Sequence, residues 1–403
     1  MGIEFPEAVL LLGLLLGTVA ALSGWLHGTV LSASVLSLGA GILLAFAGVI
    51  DIEPGAEIVV LAVELALLLT LFSDGLITEH ELLRTHWGPP VRALVLAMPI
   101  TLVLLALAAQ ALFPLSWAEA FLLAAVLTPT DPVVTSSVVT SERVPRLIRH
   151  TLNLESGLND GLALPFVLFF LVLASETGDA ASEAGQLVVE VAVGAGIGIA
   201  LALLAGRLLG SLPGGGIRRQ YEGVYALGLA LLSFGTAEVT YGNGLIAAFV
   251  CGIAFAAARH EIPEAFLHFN ENISTAFQVI TFVIFGALIV ATGWDGSTWR
   301  LAVFIAFALL VARPAAVLVS FVGVRLPPSQ KLFIAWFGPK GVASMLFALL
   351  VLHSHEAQRT LIFDIASFAI VTSILAHGLT DTVGSRWIER RLGVVPTEHS
   401  NRE

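Results

Sequence analysis

Long apolar runs, cut by glycine, proline and small clusters of charge, succeed one another from residue 6 to residue 384. A run of about 18 apolar residues or more is long enough to cross a bilayer as a helix, and the cuts fall where helix-breaking residues gather. The pattern predicts about thirteen spans, near residues 6–24, 28–50, 55–74, 90–113, 116–140, 151–174, 185–208, 222–240, 242–258, 268–292, 299–323, 330–352 and 361–384. The weakest cuts are the tight turns near His27 and at Tyr241-Gly242-Asn243-Gly244. Losing either would change the parity of the topology.

Composition agrees with the pattern. Of 403 residues, 57% are hydrophobic and 12% charged, whereas charged residues make up about 25% of a soluble domain. The chain therefore reads as an all-α polytopic membrane protein. One cysteine, Cys251, excludes an intramolecular disulfide, and no basic tail points to nucleic acid. Short cytoplasmic loops collect Lys and Arg. Fifteen of the nineteen such residues fall in alternate loops and the tail, on one side, with only Arg300 and Arg359 opposite. The opposite loops are acidic, as in Asp51-Ile52-Glu53. This bias predicts the N-terminus outside and the C-terminus in the cytoplasm of a cell (inner) membrane, which requires an odd number of spans. The first run begins with Glu4 and Glu7 rather than basic residues, so it is expected to be a retained helix and not a signal peptide.

Arg313 and Lys340 are the basic residues left inside predicted spans, together with the acids Glu64, Asp131, Glu155 and Asp160. Burying an unpartnered charge costs several kcal/mol, so these six groups are expected to converge on one polar site. Two spans look broken. Leu127-Thr128-Pro129-Thr130-Asp131-Pro132 interrupts helix five and Phe337-Gly338-Pro339-Lys340-Gly341 interrupts helix twelve, because proline removes a backbone donor and clashes with the preceding turn. By parity the two helices run in opposite directions. Inverted repeats with discontinuous helices facing each other at the midplane are the architecture of many secondary transporters. Asp131 and Lys340 are suitable countercharges for the exposed half-helix ends. On helix six, Ser156 and Asp160 share a face, as do Glu155 and Asn159. A strip of oxygens can thus point toward the break at Thr130, and hard cations prefer such ligands. His353-Ser354-His355 reads as a solvated turn, and Val193-Gly194-Ala195-Gly196-Ile197-Gly198 as a close helix contact, either internal or between subunits.

Thr128-Pro-Thr-Asp-Pro-Val-Val134, Glu155-Ser-Gly-Leu-Asn-Asp-Gly161 and Gly338-Pro-Lys-Gly341 resemble, in this order, the signature segments of the NhaP/NHE-type sodium/proton antiporters. The resemblance covers nearly the whole hydrophobic chain. It implies the NhaA-like antiporter fold, with thirteen helices, of which five and twelve are broken, and an Asn-Asp pair on helix six. It implies Asp160 as the main ligand of a monovalent cation, with Ser156, Thr130 and Glu155 completing or organising the shell and Asn159 as an oriented neighbour. Na+ would then sit at Asp160, Ser156 and Thr130. Lys340 stands where the family usually has Arg, and the two are not interchangeable at a bidentate site.

These readings lead to one expected mechanism. A buried carboxylate can hold a proton or a cation but not both, so Asp160 exchanges Na+, and Li+ with it, for H+ by alternating access, with no cofactor beyond the transported ions. The resemblance, through the Asn-Asp pair, implies an electroneutral one-for-one exchange. Glu155 is expected to pair with Arg313, and Glu64 to be an entrance residue or a second partner of Arg313. The transporter domain is expected to span 1–385, with a mobile core including residues 90–174 and 299–384. The remaining helices would form a scaffold and, by resemblance, a homodimer surface. A short cytoplasmic tail, 386–403, follows. K+/H+ exchange by the same fold is the nearest alternative. A channel is another, as is an intramembrane aspartyl hydrolase using Asp131 and Asp160, but that dyad would have to share a proton and each acid has its own countercharge candidate.

Overall fold

The computed structural model describes residues 5–26, 33–53, 56–77, 88–131, 138, 141, 143–175, 180–211, 218–258, 264–294, 296–355 and 357–392. The described residues are helical, without a strand. We number the spans α1 (Phe5–Leu26), α2 (Ala33–Phe46), α3 (Glu57–Ile77), α4 (Gly88–Leu112), α5 (Trp117–Leu127), α6 (Arg146–Ala174) and α7 (Ala180–Ser211). Then follow α8 (Glu222–Glu238), α9 (Gly244–Ala258), α10 (Glu264–Thr292), α11 (Thr298–Ser320), α12a (Pro328–Trp336), α12b (Val342–Leu352) and α13 (Arg359–Leu392). Seven of these are long and apolar enough to cross a membrane unaided. The turn near His27, the continuation of helix five to residue 140 and the tail beyond Leu392 lie outside the described residues.

The predicted breaks are present. Helix α5 begins at a capping box, in which Ser116 and Glu119 satisfy each other's backbone N–H. It stops at Leu127, before Pro129. Helix twelve stops at Trp336 and restarts at Val342. The repeat shows in a feature the sequence does not advertise. Both α4 and α11, the helices before the broken ones, contain a five-residue π-helical segment, at Ala93–Ala97 and Ala308–Ala312. Each π segment packs against the other helix. Helices 4-5-6 and 11-12-13 thus share a π segment at the corresponding place, before the interrupted helix. Such wide turns cost hydrogen-bond geometry and concentrate at functional sites; the second one ends immediately before Arg313.

The remaining helices pack by small residues. A Cβ added at Gly198 of α7 would run into the backbone of α9 and one at Gly194 into that of Asn243 just before it, while Gly196 has open space. Gly194 and Gly198 are thus spent on an internal contact, one of the two readings open in the sequence. Gly75 of α3 against α9 and Gly41 of α2 against α10 repeat the device. The turn between α8 and α9 also forms as expected, with Tyr241 at positive φ and Asn243 Oδ1 accepting the N–H of Ile246 at the start of α9. Helix α13 runs to Leu392, past the predicted span end at 384, and Ile388 is fully buried in an apolar cluster with Val144, Ile148 and Phe333.

Candidate functional site

The two breaks meet. The backbone N–H of Asp131 donates to the carbonyl of Pro339 at 2.9 Å, so the interruption of one helix is hydrogen-bonded directly to the interruption of the other. The countercharges act crosswise. Asp131 Oδ2 accepts the N–H of Val342, the first residue of α12b, at 3.0 Å. Lys340 Nζ donates to the carbonyls of Thr128 and Pro129, at 3.4 and 3.3 Å, beyond the end of α5. Each break therefore supplies the charge that the other's half-helix end requires: an acid at an N-terminus and a base at a C-terminus. This geometry explains the spacing of Gly-Pro-Lys-Gly. A Cβ at Gly338 would overlap the guanidinium of Arg313, and one at Gly341 would overlap the side chain of Asp131.

Helix α6 supplies the oxygens. Asn159 Nδ2 donates to Thr130 Oγ1 at 2.7 Å, and Thr130 Oγ1 lies 3.3 Å from Ser156 Oγ. One turn from Ser156, Asp160 is 6% exposed, and its Oδ1 has no hydrogen-bond partner among the described residues. Glu155, on the adjoining face, is bonded to Arg313, with Nη1 2.6 Å from Oε1 and both side chains buried. Pairing by a short charge-assisted hydrogen bond is how a buried ion pair offsets desolvation.

Of the six charged groups expected to converge, five do. Glu64 does not: its side chain is exposed on α3 and Arg313 is taken by Glu155. The i,i+4 and i,i+7 positions that Glu64 shares with Leu61 and Glu57 form an outward face of that helix, which the bare presence of an acid in an apolar run could not reveal. Conversely, Asp74 escapes a reading that ends the third span there. Helix α3 continues to Ile77, Gly157 of α6 approaches the backbone of Asp74, and Asp160 interacts electrostatically with Asp74, Asp131 and Lys340. The apolar Leu76-Ile77 after Ser73-Asp74-Gly75 was the available signal. Asp364 and Asp381 of α13 were also overlooked inside a predicted span. Both are buried, and Asp364 Oδ1 accepts from Thr292 Oγ1 at 2.7 Å.

The fold that carries these groups has counterparts among known proteins. The solved structure of the sodium proton antiporter MjNhaP1 from Methanocaldococcus jannaschii superposes with a TM-score of 0.78, at 20% identity, over 98% of this chain and all of the other. The K(+)/H(+) antiporter NhaP of Alkalimonas amylolytica is 25% identical over 95% of this chain and 68% of its own length. The K(+)/H(+) antiporter NhaP2 of Shewanella oneidensis is 25% identical over 80% of this chain, which spans only 56% of that relative. The family model for the sodium/hydrogen exchanger transmembrane region matches residues 11–383, and the chain belongs to that NhaP/NHE-type family of transporters.

Proposed function

We propose that the protein exchanges a monovalent cation for a proton across the cell membrane, Na+ in the first place, with both competing for Asp160. The observation that carries this reading is the contrast between the two acids of α6. Glu155 is committed to Arg313, while Asp160 is buried with an oxygen lacking a hydrogen-bond partner among the described residues. A cation bound at Asp160 would be completed by Ser156 and Thr130, whose hydroxyls already adjoin. Asn159 holds Thr130 in place. With one carboxylate free to exchange, one proton leaves for each monovalent cation that enters, and the cycle is electroneutral.

Alternating access follows from moving the two repeats, α4–α6 and α11–α13, against the other helices, which form the scaffold and a homodimer surface. Thirteen spans place the termini on opposite faces, the C-terminus in the cytoplasm. The charge bias of the loops supports that orientation. K+ is the second reading, favoured by the names of the Alkalimonas and Shewanella relatives. The test is transport in proteoliposomes with an imposed pH gradient. Sodium, lithium and potassium added side by side should collapse the gradient in the order of selectivity, and Asp160→Asn should abolish the response. Gradient collapse that survives Asp160→Asn would remove Asp160 from the mechanism, and generation of a membrane potential would exclude one-for-one exchange.

A further inference from the structure

Helix α13 presents a polar stripe that the exchange reading leaves unused. Ser373, His377, Thr380 and Gly384 recur at intervals of four, three and four, which places them on one helix face. That face lies along the interruption between α12a and α12b. Ser373 Oγ accepts the backbone N–H of Lys340 at 2.9 Å. His377 Nε2 lies 2.9 Å from the carbonyl oxygen of Trp336, the last residue of α12a. Nδ1 lies 2.7 Å from the carbonyl oxygen of Ser373 one turn back on the same helix; a carbonyl only accepts, so the bond to Trp336 is made by the ring form that carries its proton on Nε2. Thr380 Oγ1 accepts from Trp336 Nε1 at 3.0 Å, and the imidazole stacks on the indole with ring centroids 5.1 Å apart. At Gly384 a Cβ would collide with the ring of Phe337. Ser373 and His377 are both buried.

An interrupted helix exposes backbone groups on each side of the break, and at membrane depth the protein itself must satisfy them. Here residues one turn apart on a neighbouring continuous helix take one group from each side. The carbonyl of Trp336 goes to His377 and the N–H of Lys340 goes to Ser373. The separation of the two half-helices is thereby tied to the fixed rise of α13. The backbone of Lys340 is held at the point from which its ammonium reaches Thr128 and Pro129.

We propose that Ser373 and His377 are positioning residues of the cation site: they act through Lys340, by holding both edges of the helix-twelve break at the distance that aims its ammonium at the end of α5. The proposal rests on the exchange reading of Asp160, and the controls separate the two. His377→Gln places an amide N–H close to where Nε2 stands, whereas His377→Asn reaches only as far as Nδ1 and cannot meet Trp336. Ser373→Ala removes the acceptor for Lys340. The full chain is reconstituted in proteoliposomes; the cation KM and turnover are measured together with the melting temperature in detergent.

His377→Asn and Ser373→Ala should each raise KM about tenfold, the effect of one buried hydrogen bond, while His377→Gln recovers most of the loss. Because the action runs through Lys340, adding His377→Asn to Lys340→Met should change KM little beyond Lys340→Met alone. The proposal is overturned if His377→Asn and Ser373→Ala transport like the wild type, if His377→Gln is no better than His377→Asn, or if the effects of His377→Asn and Lys340→Met simply add. Transport that survives Asp160→Asn overturns the exchange reading instead.

Discussion

The crossing of the breaks and the packing of α7 on α9 are both close approaches that depend on glycine, yet what fills the space differs. Along α7, Gly194 and Gly198 admit backbone at and just before the start of α9, the carbonyls of Asn243 and Ala247. At the crossing, Gly338 and Gly341 admit charged side chains, Arg313 and Asp131. The first contact is dispersion between helices, which is what holds membrane bundles together where lipid is as apolar as leucine. The second places buried charge against free backbone groups, and its cost is offset only while every partner stays in position. Small residues alone therefore do not distinguish scaffold from site; the neighbour that occupies the space does.

The comparison is broken most severely at the ion pair. Glu155→Gln or Arg313→Met alone leaves a buried charge unmatched and should destabilise by about 3–5 kcal/mol. The double variant should recover much of the melting temperature. Equal melting of single and double variants would show that the pair is not an isolated unit.

Gly341→Ala and Gly198→Ala should each cost about 1–3 kcal/mol by overpacking, but with different readouts. Gly341→Ala displaces Asp131 and should impair cation KM as well as melting. Gly198→Ala should lower melting with KM unchanged. A KM change in Gly198→Ala would put the α7–α9 contact inside the transport machinery.

Lys340→Met removes two carbonyl contacts of about 0.5–1.5 kcal/mol each. Lys340→Arg retains the charge, and its planar fork can meet both carbonyls. Transport assays should rank wild type and Lys340→Arg together, above Lys340→Met. The smallest effect belongs to Glu64→Gln, exposed on α3, with a stability change within about 0.5 kcal/mol and an unchanged transport rate. A large loss there would mean that the outward face of α3 is covered in the working protein.

Much of the arrangement was written in local chemistry. The spans follow from apolar run length, and most of their ends fall where the sequence puts them, because glycine, proline and charge stop a membrane helix wherever it is packed. The breaks follow equally locally, since Pro129 and Pro339 cannot continue a helix. The pairing of Glu155 with Arg313 was legible for another reason, a scarcity of buried basic groups. Asp74 was missed because the third span was ended three residues short of Ile77, whereas Glu64 was misplaced for want of an azimuth. An acid in an apolar run reveals its depth along the helix but not its azimuth, and azimuth is set by which neighbours the helix meets.

By itself, then, the sequence determined the class of protein, the order of helices, the two interruptions and the short list of groups able to carry charge through them. Only the tertiary structure decided that Asp131 and Lys340 compensate each other's helices rather than their own. It also decided that the π segments of α4 and α11 each pack against the other helix, and that one stripe of α13 meets both edges of the break. The physical reason is that helix formation and helix breaking are decided within a few residues by backbone sterics and hydrogen bonding. The partner of a buried charge or an orphan backbone group is decided by distances across the bundle, between residues such as Asp131 and Val342 that are far apart in the chain.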